Sequence, residues 1–290
     1  MCFVILIVTI CRVRFPFDDQ QQTYHFKHSK PNVCTSWTIF NNLLSNADNG
    51  LYSCSIFLDL SKAFDTVNRN ILVDKFYHNL GIRGIPLQLF RSYLSNRKQL
   101  IKLENVQSGL VNISNGVPQG SVLGPLLFIM YINDLPKSSA FYTVLYADDT
   151  YLCLFHKNFD NLQHMVNVEL IKIDNWLRSN KLSLNYSKST LMLTKSLKNN
   201  RNLSEVCSFQ IKINDSWFQR TTRANYLRVL IDSLLDWSSH VEYLKSKLVR
   251  APYLFYKIRN VVSVDVLKML YFSLVHCHLK YCICFMGHRY

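Results

Sequence analysis

Tyr146-Ala147-Asp148-Asp149 stands between two apolar stretches, Phe141 to Leu145 and Tyr151 to Phe155, and its reading decides which fold this chain can make. Two apolar runs of strand length joined by a short polar connection form a β-hairpin, so the turn carries adjacent carboxylates. Held that close, the two charges repel one another unless a divalent cation sits with them. Hard cations such as Mg2+ take oxygen ligands, often one or two carboxylates together with substrate phosphates. Aspartate is also an ordinary turn residue, so the pair alone marks a turn as readily as a metal site.

A third carboxylate lies upstream. Residues 54–60, Cys-Ser-Ile-Phe-Leu-Asp-Leu, read as a short buried strand, because the apolar run is continuous and bounded by Gly50 and Ser61. Asp59 closes that strand, and pairing it with the hairpin brings Asp59, Asp148 and Asp149 together. Such a cluster suits two metal ions about 4 Å apart, one activating an attacking oxygen and one stabilising a leaving oxygen at phosphorus. Taken alone, Asp59 reads equally as a strand-end residue capping the turn at Ser61.

Composition sets the partners. The 290 residues are 49% hydrophobic, enough for a sizeable core, and 33 Lys plus Arg outweigh 19 Asp plus Glu for a net charge of +14. Half of that excess, +7, falls in residues 216–290. The balance favours a polyanion such as nucleic acid, or an anionic membrane surface. Nine cysteines at irregular spacing argue against a disulfide framework and for a reducing compartment, nucleus or cytoplasm. The group His276, Cys277, His278, Cys282, Cys284 and His288 fits zinc spacing poorly and reads as buried thiols on a helix. The apolar run Met1–Ile10 is too short to span a bilayer, so no stable membrane association is expected. Residues 1–20 read as lying outside the functional domain.

Along the chain, Asn68 is a candidate N-cap for a helix carrying Ile71, Leu72, Lys75, Phe76 and Leu80 on one face and stopped by Gly81. A second helix is predicted from Pro86 to Leu94, then a hairpin of 98–103 and 109–114 with alternating side chains. A buried helix over Ser121–Asn133 begins at a Ser cap, and an amphipathic helix runs from about Asn161 to Asn180. Short strands are predicted at 190–194 and 208–213, and helices at 238–259 and 264–280.

Leu58-Asp59-Leu60-Ser61-Lys62-Ala63-Phe64-Asp65, followed by Tyr-Ala-Asp-Asp, resembles the palm of reverse transcriptases of non-LTR, LINE-like and jockey-like retrotransposons. Gly81-Ile82-Arg83-Gly84, Tyr93-Leu94-Ser95-Asn96-Arg97, Gly116-Val117-Pro118-Gln119-Gly120 through Pro125, Tyr131-Ile132-Asn133-Asp134-Leu135, Trp176, Asn180 to Asn185 and Lys188-Ser189 agree in order. The resemblance covers roughly residues 50–285 and implies an α+β fold: a right-hand polymerase palm of antiparallel sheet and packed helices, with partial fingers and a helical thumb. It divides the chain into partial fingers and palm, 21–215, and primer-grip hairpin with thumb, 216–290.

The resemblance further implies an RNA-directed DNA polymerase using two Mg2+ ions, with Mn2+ as an alternative, on an RNA template, a DNA primer and dNTPs. Asp59 and Asp148 would be the main metal ligands, joined by the Leu60 carbonyl and by Asp149. Leu60, Ser61, Lys62 and Ala63 would line the nucleotide site, and Phe64 would be the aromatic gate that rejects a 2′-hydroxyl. By itself Phe64 is a core ring at a helix start. Gln119 and Gly120 would lie against the incoming nucleotide, where Gly permits close backbone approach. Lys188 would donate a proton to leaving pyrophosphate; alone it is a solvated charge. Tyr226, Leu227, Arg228 and Val229 would form the primer grip. Arg228 stands where the family has Gly, which predicts a distorted hairpin. His25-Phe26-Lys27-His28 to Thr38 is loosely similar to the family's fingers. The alternative is a decayed copy that keeps the fold and binds nucleic acid passively.

Overall fold

The computed structural model describes residues 22–23, 31–195, 209, 211–213 and 216–281. The segments 1–20 and His25–His28 therefore lie outside the described residues. A short strand β1 (Gln22–Thr23) and helix α1 (Pro31–Asp48) precede β2 (Tyr52–Leu58). Helix α1 buries Ile39, Phe40, Leu43 and Ala47, a helical stripe, and ends where Gly50 takes φ 74° and Leu51 N–H closes on Asn46 O at 2.9 Å.

Helix α2 (Arg69–His78) starts as predicted, with the Asn68 side chain accepting from the backbone N–H groups of Asn70 and Ile71, each at 3.1 Å. Helix α3 (Ile85–Leu94) carries Pro86 in its first turn and buries Leu87, Phe90 and Leu94. The predicted hairpin follows as two short ladders, Lys98–Gln99 with Val111–Asn112 and Lys102–Leu103 with Val106–Gln107. Its alternation does not produce a buried face: residues 98–112 are exposed throughout. Helix α4 (Gly124–Ile132) begins three residues later than predicted. Ser121 closes the preceding turn instead, donating to Pro118 O at 2.7 Å and accepting from Gly124 N–H at 3.0 Å.

Strands β3 (Tyr142–Tyr146) and β4 (Asp149–His156) make the hairpin, and α5 (Phe159–Ser179) follows, capped by Asn158. Then come β5 (Thr190–Thr194), β6 (Gln219–Arg220), β7 (Arg223–Tyr226) and β8 (Val229–Asp232). Of the strand predicted at 208–213, Lys212–Ile213 pairs with Ser216–Trp217. The helix predicted over 238–259 is two helices, α6 (Ser238–Leu248) and α7 (Ala251–Ile258), parted just before Pro252, whose ring nitrogen cannot donate. Helix α8 (Val264–Tyr271) continues through a π-turn, Phe272–His276, into Cys277–Lys280. Cys277 is exposed rather than buried, and Cys282 and Cys284 lie outside the described residues.

The main sheet runs β1-β3-β4-β2-β5-β6, its four central strands antiparallel and its outer pairs parallel. Both faces are covered, which is why every residue of β2 after Tyr52 is buried, Ser53 and Ser55 included. One face points Cys54, Ile56, Leu58, Leu152, Leu154 and Leu191 at a core shared with α2, α4 and α5. The other points Phe57, Tyr151, Cys153 and Met192 at α1 and the β7–β8 hairpin. The two aspartate segments thus sit at the end of a sheet clamped from both sides.

Candidate active site

Strand register decides where the carboxylates go. Leu58 pairs with Thr150 in the β2–β4 ladder, so one further step sets Asp59 beside Asp149, with Asp148 next to it on the turn. The hairpin closes on Tyr146 opposite Asp149, and Ala147 bridges it in the left-handed region at φ 51°. Crowding shows electrostatically: partial burial first, then the Asp148 and Asp59 charges, push the Asp149 carboxyl up to about 6.

Asp59 is held from its other side by a segment far away in sequence. Its N–H donates to Ser189 Oγ at 3.0 Å, its carbonyl accepts from Asn185 N–H at 2.8 Å, and Ser61 N–H donates to Ser183 O at 2.8 Å. Leu60 forms an isolated bridge with Leu184. Lys188 lies on the exposed turn of this segment, one residue before the serine that anchors Asp59. The sequence places Ser189 in a motif without a role; its part in fixing the Asp59 amide appears once the chain has folded back.

Behind the aspartates, Lys75 reaches from α2 into a buried polar knot. Its ammonium donates to Tyr131 O at 2.7 Å and to Asp134 Oδ1 at 2.6 Å, and lies 5.0 Å and 4.8 Å from the ring centres of Tyr131 and Trp176. The Tyr131 hydroxyl donates to Asn180 O at 2.5 Å. One cation thereby joins α2, α4 and α5, the helices under the active face.

The nucleotide-pocket candidates fall on two adjoining turns. After Lys62, at φ 49°, the single helical turn Ala63–Thr66 sets the half-buried Phe64 ring against Phe128 of α4, 4.8 Å between centroids. Across from it runs the 113–120 loop, where Val117 N–H donates to Phe64 O at 2.9 Å and Gln119 Nε2 donates to Asp65 Oδ1 at 2.7 Å. Gly116 makes the close approach: a Cβ there would lie 2.9 Å from Asp65 O. Gly120 has open space around it, and what it requires glycine for is its φ of 76°.

The predicted primer-grip hairpin is undistorted. Tyr226 pairs with Val229, and Leu227 and Arg228 form the two-residue turn with φ 48° and 64°. Both side chains accept the left-handed conformation that glycine would take freely, at about 1–2 kcal/mol each. The hairpin keeps its register because Ala224, Tyr226, Val229 and Ile231 are buried against the sheet. Tyr226 is deeply buried, and burial first, then the Asp149 charge, push its phenol well above the ordinary range. The hairpin therefore reaches the carboxylate end from the opposite face.

Among the described residues, no three His, Cys, Asp or Glu side chains converge into a ready-made metal cage. The donor set at the sheet end nevertheless suits a hard divalent cation. Three carboxylates share one edge, and one of them is pushed up to about 6 by burial and then by the charges of the other two, a repulsion that a bound cation relieves. Among the described residues no helix is long and apolar enough to cross a membrane.

A sheet that gathers carboxylates at one end, backed by helices on one face and a hairpin on the other, is the palm of a right-hand polymerase. The family described as reverse transcriptase (RNA-dependent DNA polymerase) matches residues 9–247, and the chain belongs to that family. Its curated relatives are polymerases of non-LTR retrotransposons. The chain is 28% identical over 221 residues to a probable RNA-directed DNA polymerase from transposon X-element of Drosophila melanogaster, covering 72% of this chain and 23% of that protein. It is 27% identical over 263 residues to the RNA-directed DNA polymerase from mobile element jockey of Drosophila funebris, covering 84% and 27%. The chain spans about a quarter of the length of the curated relatives it matches.

Among solved structures, apo telomerase from Candida tropicalis truncated from its C-terminal domain is similar at a TM-score of 0.50 and 18% identity, covering 72% of this chain and 40% of that one. Candida tropicalis telomerase in complex with a TWJ fragment of telomeric RNA gives 0.51 and 14%, covering 81% and 37%. At these identities the likeness is one of fold.

Proposed function

We propose that this chain is the catalytic core of an RNA-directed DNA polymerase that extends a DNA primer on an RNA template. The observation that carries the reading is the register that sets Asp59 beside Asp149 and Asp148, where burial first and then the two neighbouring charges push the Asp149 carboxyl up to about 6. The primer 3′-oxygen attacks the α-phosphorus of a dNTP, a new phosphodiester forms, and the bond to the β-phosphate breaks to release pyrophosphate.

Asp59 and Asp148, with the Leu60 carbonyl and Asp149, would hold two Mg2+ or Mn2+ ions, which when bound neutralise phosphate charge and activate the attacking oxygen. The remaining work belongs to the protein. Phe64 presents a ring edge where the sugar lies, so that a 2′-hydroxyl meets carbon. Gln119 and Gly120 orient the nucleotide from the other side. Lys188, exposed beside the Asp59 anchor, donates a proton to the departing pyrophosphate. The β7–β8 turn seats the primer terminus, and the basic segment after residue 216, as the thumb, tracks template-primer phosphates.

Primer extension on poly(rA)/oligo(dT) beside an Asp148→Ala control tests the assignment. Mg2+-dependent extension that the substitution abolishes is expected. Absence of extension, with salt-dependent template binding retained, would instead support a passive nucleic-acid-binding protein.

A further inference from the structure

We propose that Arg69 and Asp65 are positioning residues that lock the 113–120 loop to the Phe64 turn, so that the two walls of the nucleotide pocket move as one body. The inference rests on the polymerase reading above and assigns roles to two residues outside the inherited motif roles.

Arg69 opens α2, and its guanidinium donates to three successive parts of the loop: Nη1 to Ile113 O at 2.7 Å, Nη2 to Asn115 O at 3.1 Å and Nε to Gly116 O at 2.9 Å. The planar fork spreads its donors over three nitrogens in fixed directions and so meets carbonyls spaced along the loop, whereas an ammonium offers its donors from a single atom. The backbone adds Gly116 N–H to Val67 O at 2.7 Å and Val117 N–H to Phe64 O at 2.9 Å. Gly116 sits so close that any side chain would strike Asp65 and Phe64 backbone at 2.9 to 3.1 Å. Beyond this seam, the Asp65 carboxylate receives the Gln119 amide at 2.7 Å, fixing which way that side chain faces. Phe64 and Gln119 belong to segments some fifty residues apart, and their relative position is set by Arg69, Gly116 and Asp65 rather than by either segment alone.

A pocket whose walls are locked discriminates its substrate by geometry, and loosening it weakens nucleotide binding before it touches the aspartates. In primer extension with dTTP titrated, Arg69→Ala is expected to raise the dTTP KM about tenfold, the scale of losing a hydrogen bond to a charged group, with kcat changed far less. Its preference for dTTP over UTP should fall in parallel. Arg69→Lys keeps the charge without the fork and should behave like Arg69→Ala; full rescue by lysine would mean charge alone matters and would overturn the lock. Asp65→Ala should shift KM the same way, while Asp65→Asn, which keeps an acceptor for Gln119, should stay near wild type. A loss of kcat with KM and sugar preference unchanged also overturns the proposal.

Amide hydrogen exchange gives a readout independent of activity. Exchange at Gly116 and Val117 should quicken in Arg69→Ala and Arg69→Lys, and unchanged exchange refutes the lock. If the wild-type chain extends no primer, the polymerase reading fails while the exchange result still decides whether Arg69 holds the loop. The Asp65–Gln119 bond is solvent-exposed, so the Asp65 variants carry the test should Arg69→Ala fail to fold.

Discussion

Removing the Asp134 carboxylate tests whether the Lys75 knot holds the helices beneath the active face. The Lys75 side chain is 10% exposed and Asp134 31%, and they meet at 2.6 Å. Asp134→Ala leaves a buried ammonium with the Tyr131 carbonyl and two ring faces as its remaining partners. Breaking one side of a buried pair costs about 3–5 kcal/mol, and the surviving partners put this case near the lower end, about 3 kcal/mol. Lys75→Met removes the cation and leaves a carboxylate that water reaches, a loss of about 1 kcal/mol. The double variant should therefore be no worse than Asp134→Ala alone, with a coupling of about 1–2 kcal/mol in a denaturant-unfolding cycle. The alkaline range supplies a second readout. Burial lowers the Lys75 pKa from its ordinary 10.5, and the Asp134 hydrogen bond and charge oppose that shift. Without Asp134 the folded lysine releases its proton earlier than the unfolded one, so the Asp134→Ala protein should regain stability as pH rises toward 10.5. A cost below about 1 kcal/mol, or additive single effects, would show that the knot is ornamental to stability.

Four further outcomes follow from the site. Because the folded Asp149 keeps its proton up to about pH 6 while an ordinary carboxyl loses it near 3.8, its ionisation weakens the fold above that window; Asp149→Asn should gain stability at pH 7 and not below pH 4, and a uniform gain would contradict the assignment. Carboxyl NMR titration should find Asp149 lower in Asp148→Asn yet still raised, since burial is the larger cause. Arg228→Gly relieves a left-handed side chain at φ 64° against glycine's greater unfolded entropy, a net gain of about 0.5–1 kcal/mol in unfolding free energy; destabilisation would mean the arginine makes contacts worth more than its strain. Phe64→Ala should admit ribonucleotides in primer extension, and an active variant that still excludes them would remove the gate role.

How far the sequence could be read depended on the range of the cause. The Asn68 cap, the Pro86 start and the Gly81 stop are local chemistry and stand where their residues put them. The 98–112 hairpin formed, yet its alternation implied a buried face that no element among the described residues supplies. Arg228 was the reverse case. Local propensity argues for distortion, and the buried Tyr226 and Val229 override it by packing the hairpin on the sheet. Ser189 and Arg69 carry no signal of their own, since a serine in a turn and an arginine at a helix start are ordinary surface residues until a distant segment arrives to meet them.

Composition, patterning and the ordered motifs thus determined the α+β class and the family, because each is written in adjacent residues or in their order. Tertiary structure decided what those residues do to one another. The β2–β4 register converts Asp59 and Asp149, 90 positions apart, into neighbours whose charges interact, and the Arg69 fork ties the start of α2 to the 113–120 loop. Electrostatic coupling and hydrogen bonding act over a few ångströms of space, and only the folded chain sets that distance.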